Sequence, residues 1–406
     1  MARPSRPRTR DRLRRAARSA LLSLAPGLSW AQEPASQAPP LAPGDFSTAP
    51  ASDVPRWTLR VSAQESWDSA ARAVGSQPDV HYLGRLRLGI AHGRGGRRAQ
   101  LLVSGQAATT FAQQELSVDR FAYDASVQGT VQLGPRLRLS VSDNLHADYS
   151  DESPLLGSEG TVLPLVLTRE NTARAELVYR WSARTSLTSA LRHDLVGFDS
   201  GTLIDRSSGS LTTRVRRLVG RSQGLTLDHV FSVRAAAGRR APSHRLSGGW
   251  EGTRHARQTL ALELGVERQE LLSGTGSRTR PYGAVAATAR GRRGALSLSY
   301  EHRLTPSYES LDDRAADTVA LGGSATLWRR LAANVSTSYS LRRAAAAGLG
   351  ADHMLRAGAG LSLGFRSGAE LSSRYSFHSR RRALGPEPRL SRHRVELSVA
   401  FARLWR

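Results

Sequence analysis

The chain has 406 residues, no cysteine and a formal charge of +24. Without cysteine there can be no disulfide scaffold, thiolate nucleophile or cysteine-based zinc site. The hydrophobic fraction of 39% is low for a globular chain, yet apolar residues recur throughout, which argues against general disorder. No run of about 18 apolar residues occurs, so the sequence predicts no membrane-spanning helix.

Residues 1–31 have the three parts of a secretory signal peptide. Eight arginines lie between positions 3 and 18, a short apolar run covers residues 20–25, and Ser29-Trp30-Ala31 offers a small-x-small cleavage site. A basic arm that binds nucleic acid is the weaker interpretation, and we expect no nucleic-acid partner. Residues 32–54 are rich in Pro, Ala, Ser and Gln, which predicts a flexible periplasmic segment after the cleavage site.

From residue 55 to residue 406 the chain alternates between apolar and polar residues with a period of two. In residues 121–133, apolar and small side chains such as Phe121 and Val127 hold the odd positions, and polar ones such as Asp124 hold the even positions. Successive side chains of a strand point to opposite faces, so the pattern predicts a strand with one apolar and one polar face. After Gly134-Pro135-Arg136 the alternation resumes, which predicts a hairpin. The unit recurs to the end and predicts about 18 strands (16–18).

Two architectures contain many such strands. A soluble sandwich or propeller buries its apolar faces, whereas a transmembrane barrel turns them outward to lipid. Charged residues in mid-strand, short basic connections that alternate with longer ones, and aromatic residues beside the turns, such as Trp181 and Trp328, favour the barrel. The predicted fold class is therefore all-β, a closed antiparallel transmembrane β-barrel.

The chain resembles bacterial outer-membrane β-barrels of the porin type over roughly residues 57–405. Its final stretch, Val395 to Trp405, is similar to the last strand that these proteins present to the barrel-insertion machinery. The resemblance implies an outer-membrane location in a diderm bacterium, a periplasmic N-terminus, and membrane lipid and lipopolysaccharide as surroundings. A weaker resemblance to alginate-exporter-type barrels implies polysaccharide export, with periplasmic export components as partners.

The polar face carries more arginine than acid. By parity, the arginines expected to line a pore are Arg85, Arg87, Arg138, Arg174, Arg180, Arg192, Arg214, Arg216, Arg234, Arg245, Arg374 and Arg394. About half of the inward arginines are expected to pair with acids on neighbouring strands. The remaining positive charge would concentrate anions in a water-filled lumen. The segment 150–168 is the longest clear connection, and Asp151, Glu152 and Glu159 are its candidates for a constriction loop.

No motif predicts catalysis, a metal site or a cofactor. Asn144, His146 and Asp148 share one strand face, but nothing places a nucleophilic serine beside them. Three functions remain open: a channel for polar, preferentially anionic solutes, a conduit for export of an acidic polysaccharide, and a structural or adhesive barrel. The interpretation as a non-enzymatic channel is the one we favour.

Overall fold

The computed structural model describes residues 56–68, 81–96, 98–112, 118–149, 166–254, 257–274, 276–308, 311, 313–343, 351–365, 367–381 and 389–405. The predicted signal peptide and the segment 32–54 lie outside the described residues, so both stay predictions. Among the described residues, no helix is long and apolar enough to cross a membrane.

Eighteen antiparallel strands form a single sheet. Their bounds are β1 Arg56–Asp68, β2 His81–Gly95, β3 Ala99–Ala112, β4 Val118–Gln132, β5 Leu137–Tyr149, β6 Leu167–Arg180, β7 Thr185–Phe198, β8 Arg206–Leu218, β9 Gln223–Ala236, β10 Arg239–Arg254, β11 Gln258–Glu270, β12 Ser277–Arg290, β13 Gly294–Thr305, β14 Arg314–Thr326, β15 Leu331–Arg343, β16 Ala351–Gly364, β17 Ala369–Arg381 and β18 Arg389–Trp405. Each strand pairs with the next along the chain. The predicted strand count is confirmed.

The sheet closes on itself. β1 pairs with β2 on one side and with β18 on the other, and the second pairing runs from Trp57 opposite Trp405 to Asp68 opposite Arg394. No edge of the described sheet is left open, which is what a sheet needs in a solvent without hydrogen-bonding partners. The predicted closed antiparallel β-barrel is therefore confirmed.

The two faces of the sheet differ in chemistry as the alternation predicts. Leu86, Leu88, Leu262 and Leu264 are examples of the large hydrophobic side chains that lie exposed on the outer face. Their strand neighbours on the other face include buried polar residues such as Glu263. A soluble barrel would have the apolar face inside, so the arrangement is that of a barrel built for a lipid surround.

The connections at the two ends of the barrel differ in length. At one end, here called the short-turn end, connections such as residues 133–136, 181–184 and 291–293 are tight. At the other end, here called the long-connection end, most are longer, for example residues 199–205, 271–276 and 306–313. The connection between β9 and β10 departs from the expected alternation, because only Ala237 and Gly238 form it. Both residues have positive φ (49° and 74°), as a two-residue hairpin turn requires.

Candidate functional site: the charged lumen and an inward-folded connection

All twelve arginines predicted to line a pore lie on the polar face of the sheet. The register places them strand by strand: Arg87 is opposite Ser62, Arg214 is opposite Asp228, and Arg374 is opposite Glu396. Their outward neighbours are exposed apolar residues such as Leu86 and Val215. The strand geometry thus brings these residues to the lumen, and their role in conduction stays a prediction.

Several of these arginines bind carboxylates on the wall formed by β6 to β11. Arg174 and Arg192 bind acids two residues further along their own strands, Glu176 at 2.5 Å and Asp194 at 2.9 Å. Three further ion pairs on the same wall join different strands: Arg214 binds Asp228 and Glu263, and Arg216 binds Glu251. Arg245 stands 4.2 Å above the ring of Tyr282. Cation and anion are thus matched on this wall, so its formal charge is small.

The opposite wall, formed by β14 to β18 with β1 and β2, is more basic, and we call it the basic wall. Among its inward positions with described side chains, the acidic residues are Asp352, Glu370 and Glu396. The inward arginines there are Arg60, Arg85, Arg87, Arg314, Arg342, Arg356, Arg374, Arg380, Arg392 and Arg394. Ion pairs exist here too, since Asp352 binds both Arg314 (2.5 Å) and Arg380 (3.0 Å). The formal charge of this wall is nevertheless strongly positive.

The connection between β13 and β14 folds into the lumen. The neighbours of β13 in the sheet are β12 and β14, yet Tyr308 packs edge-on against Phe198 at the end of β7, with ring centroids 5.3 Å apart. The Tyr308 carbonyl accepts a hydrogen bond of 2.8 Å from the backbone of Ile204. Leu311 packs on a small apolar cluster of Ala236, Ala241 and Leu272. The described part of this connection therefore crosses the interior at the long-connection end.

Asp313 fixes that connection to the far wall. Its carboxylate binds Arg206, at 2.9 Å, and also Arg234. Arg206 donates a second hydrogen bond to the carbonyl of Leu311 at 2.7 Å. The Asp313 side chain is only 2% exposed, so one buried carboxylate and two guanidiniums from β8 and β9 form a dock for the segment. We call this arrangement the Asp313 dock.

Sequence reasoning missed the Asp313 dock. Asp151, Glu152 and Glu159, predicted to form the constriction loop, lie outside the described residues, so their role stays a prediction. In the sequence, Asp313 is only one of several acidic residues in the stretch 309–313. Asp313 stands directly before Arg314, where a strand begins, and an acidic residue at such a boundary is common. Its partners, Arg206 and Arg234, lie more than seventy residues earlier in the chain. Nothing local in the sequence indicates the pairing.

The polar residues of β5 have structural partners. The Nδ1 atom of His146 binds Asp124 on the neighbouring strand, and Gln106 binds the other oxygen of that carboxylate at 2.5 Å. Asp148 is buried and binds Arg85. Among the described residues, no group of three metal-binding side chains is present. These side-chain contacts link the four strands β2, β3, β4 and β5 of the lumen wall.

Comparison with known proteins supports the fold. No family model and no curated protein matches the chain. The crystal structure of OccAB4 from Acinetobacter baumannii is 11% identical to this chain, covers 88% of it and 100% of its own length, and has a TM-score of 0.50. Pseudomonas aeruginosa OpdK with vanillate (11% identity, 86% and 99% covered, TM-score 0.48) and OccK2 (OpdF) with glucuronate (13%, 86% and 98%, 0.48) are also similar.

The fold class follows from these observations together. The closed sheet of eighteen antiparallel strands, with an apolar outside and a charged inside, has the fold of a porin-like outer-membrane β-barrel. An identity of 11% shows the fold alone, so the solute has to be argued from the side chains of the lumen.

Proposed function

We propose that this protein is an outer-membrane channel for small polar solutes, with a preference for anions. The observation that carries the proposal is the basic wall of the lumen, where arginines greatly outnumber carboxylates among the described inward positions. A low-dielectric wall confines the field of these charges to the aqueous path, which raises the local concentration of anions and lowers that of cations.

The outer face supports a membrane location. Exposed Leu, Val and Phe side chains cover it, for example Phe121, Leu191 and Val399. Removing such a band from water is the main reason for a barrel to insert in a bilayer, and strands cross a membrane only when the sheet is closed. We infer that the short-turn end faces the periplasm, since barrels of this type have short periplasmic turns and longer outer connections.

The Asp313 dock favours a small solute over a polymer. The segment that carries Tyr308 and Leu311 crosses the interior and contacts β7, β8 and the apolar cluster of Ala236, Ala241 and Leu272 on the other side. Every sugar unit of an extended polysaccharide would have to pass this obstruction, whereas a small ion has to pass it only once. Export of an acidic polysaccharide therefore has less support than solute passage, and an enzymatic role has none from the side chains described.

Ion selectivity in a planar bilayer tests the proposal. We expect the refolded mature barrel to show an anion-selective reversal potential in a salt gradient. The preference should be strongest at about 10 mM salt, where the screening length is about 30 Å and the wall charges act across the whole lumen. The triple change Arg87→Gln, Arg356→Gln and Arg374→Gln removes three charges from the basic wall and should reduce the anion preference.

A charge-neutral control is available on the opposite wall. Replacing Arg174 and Glu176 together by Gln removes a bonded pair, so the net lumen charge and the selectivity should stay unchanged. A wild-type channel that is cation-selective, or a triple variant with unaltered selectivity, would contradict the proposed anion path.

A further inference from the structure

A cluster of polar residues lies on the outer face of the barrel at its long-connection end. It consists of His302 on β13, Asp317 on β14, Arg343 on β15, His353 on β16 and Arg381 on β17, and we call it the rim cluster. The register joins it: His302 is opposite Asp317, and His353 is opposite Arg381. On β15, between these two pairs, Leu341 is opposite both Asp317 and His353, and Arg343 lies two residues further along the same strand. Five neighbouring strands thus contribute to one patch.

Hydrogen bonds hold the rim cluster in shape. Asp317 accepts from the Tyr300 hydroxyl at 2.9 Å and lies 2.7 Å from the Nδ1 atom of His302. Arg343 reaches the same carboxylate at 3.5 Å, and its side chain is 61% exposed. On the next strand pair, the Tyr339 hydroxyl lies 2.6 Å from the Nδ1 atom of His353. Tyr339 therefore orients the imidazole of His353, and Tyr300 helps to orient the carboxylate that contacts His302.

The charge of the rim cluster is positive and faces the membrane side. It holds two guanidiniums, those of Arg343 and Arg381, against the single carboxylate of Asp317. Below it on the same strands come exposed apolar residues, such as Leu298, Leu321 and Leu355. Tyrosine is enriched where the hydrocarbon meets the headgroups, so Tyr300 and Tyr339 place the cluster at that boundary. An arginine at this depth is stabilised by an anionic headgroup and destabilised by hydrocarbon.

We propose that the rim cluster binds phosphate groups of lipopolysaccharide in the outer leaflet, with Arg343 and Arg381 as the main ligands. Guanidinium groups recognise phosphate through paired charge-assisted hydrogen bonds, and imidazole N–H groups add further donors. The inference rests on the membrane location and orientation of the proposed function, but not on the solute or on ion selectivity.

Retention of lipid A by the purified barrel tests the proposal. The folded protein is incubated with lipid A in detergent, washed, and assayed for lipid phosphate per barrel. Wild type should bind lipid A about tenfold more tightly than the double variant Arg343→Gln/Arg381→Gln, because two charge-assisted contacts are lost. Arg268→Gln is the matched control. Arg268 is an exposed, outward-facing arginine on β11 at the long-connection end of the barrel, and it lies outside the rim cluster.

Additional variants and lipids distinguish phosphate recognition from general attraction between opposite charges. Arg343→Lys/Arg381→Lys keeps the positive charge but lacks the planar, bidentate guanidinium group. Its affinity for lipid A should lie between those of wild type and the Gln variant. Lipid A stripped of its phosphates, and phosphatidylglycerol, should bind more weakly than lipid A. Equal retention of lipid A by wild type and a folded Gln variant, equal binding of dephosphorylated lipid A, or equal binding of phosphatidylglycerol would overturn the proposal. Ion selectivity is measured on the same samples and should not differ between them, so failure of the channel proposal is seen separately.

Discussion

The Asp313 dock gives the sharpest prediction about the lumen. Asp313→Asn keeps the size of the side chain but removes the charge that two arginines share. Loss of one partner from a buried ion pair costs about 3–5 kcal/mol, and the lower end applies here because the amide oxygen can still accept a hydrogen bond from a guanidinium. A cost of about 3 kcal/mol changes the ratio of docked to undocked segment by about two orders of magnitude.

The consequence should be visible in single-channel recordings. In the Asp313→Asn variant the segment that carries Tyr308 leaves the far wall more often, so we expect a larger mean conductance with more frequent switching between levels. Arg206→Gln should act in the same direction, because it removes both the ion pair with Asp313 and the hydrogen bond to Leu311.

Asp317→Asn is the control. It changes a carboxylate near the same connection, but on the outer face, so conductance should be unaffected. The prediction is refuted if Asp313→Asn leaves the conductance and its switching unchanged, or if Asp317→Asn changes them equally.

Two other predictions concern the wall and its orientation. Leu262→Arg places a charge on the lipid side and should reduce folding stability by about 2–4 kcal/mol if it lies near the midplane. Glu263→Gln keeps the hydrogen bond from Ser247, loses only a 3.9 Å contact with Arg214, and should cost less. Urea titration in vesicles measures both losses, and equal values would contradict the assignment of Leu262 to the lipid face and Glu263 to the lumen face. A small epitope tag at Gly201, on the long-connection end, should be labelled on intact cells, and one at Gly294, on the short-turn end, should not; the reverse pattern would invert the proposed orientation.

Much of the fold could be predicted from the sequence, because strand facing is a local property. The alternation of Phe121, Tyr123 and Val127 with polar neighbours is enough to assign both faces of β4, and the same reasoning extends around the barrel. The strand near residue 248 is harder, since Gly248 and Gly249 have no side chain to indicate a face. The arginines could be placed inside by parity alone. The partner of Arg206 could not, because Arg206 and Asp313 are brought together only by a connection that leaves the sheet.

The pairing of β1 with β18 has a consequence for how the barrel forms. Trp57 and Trp405 are opposite each other although almost the whole chain separates them. Until that last pairing is made, every partly assembled sheet has two unpaired edges, with backbone donors and acceptors that lipid cannot satisfy. Long-range closure of this kind is slow, because the entropy of the intervening chain is lost before the final hydrogen bonds form. Insertion and closure must therefore occur together, and a chain that lacks β18 should remain exposed to periplasmic proteases rather than accumulate in the membrane.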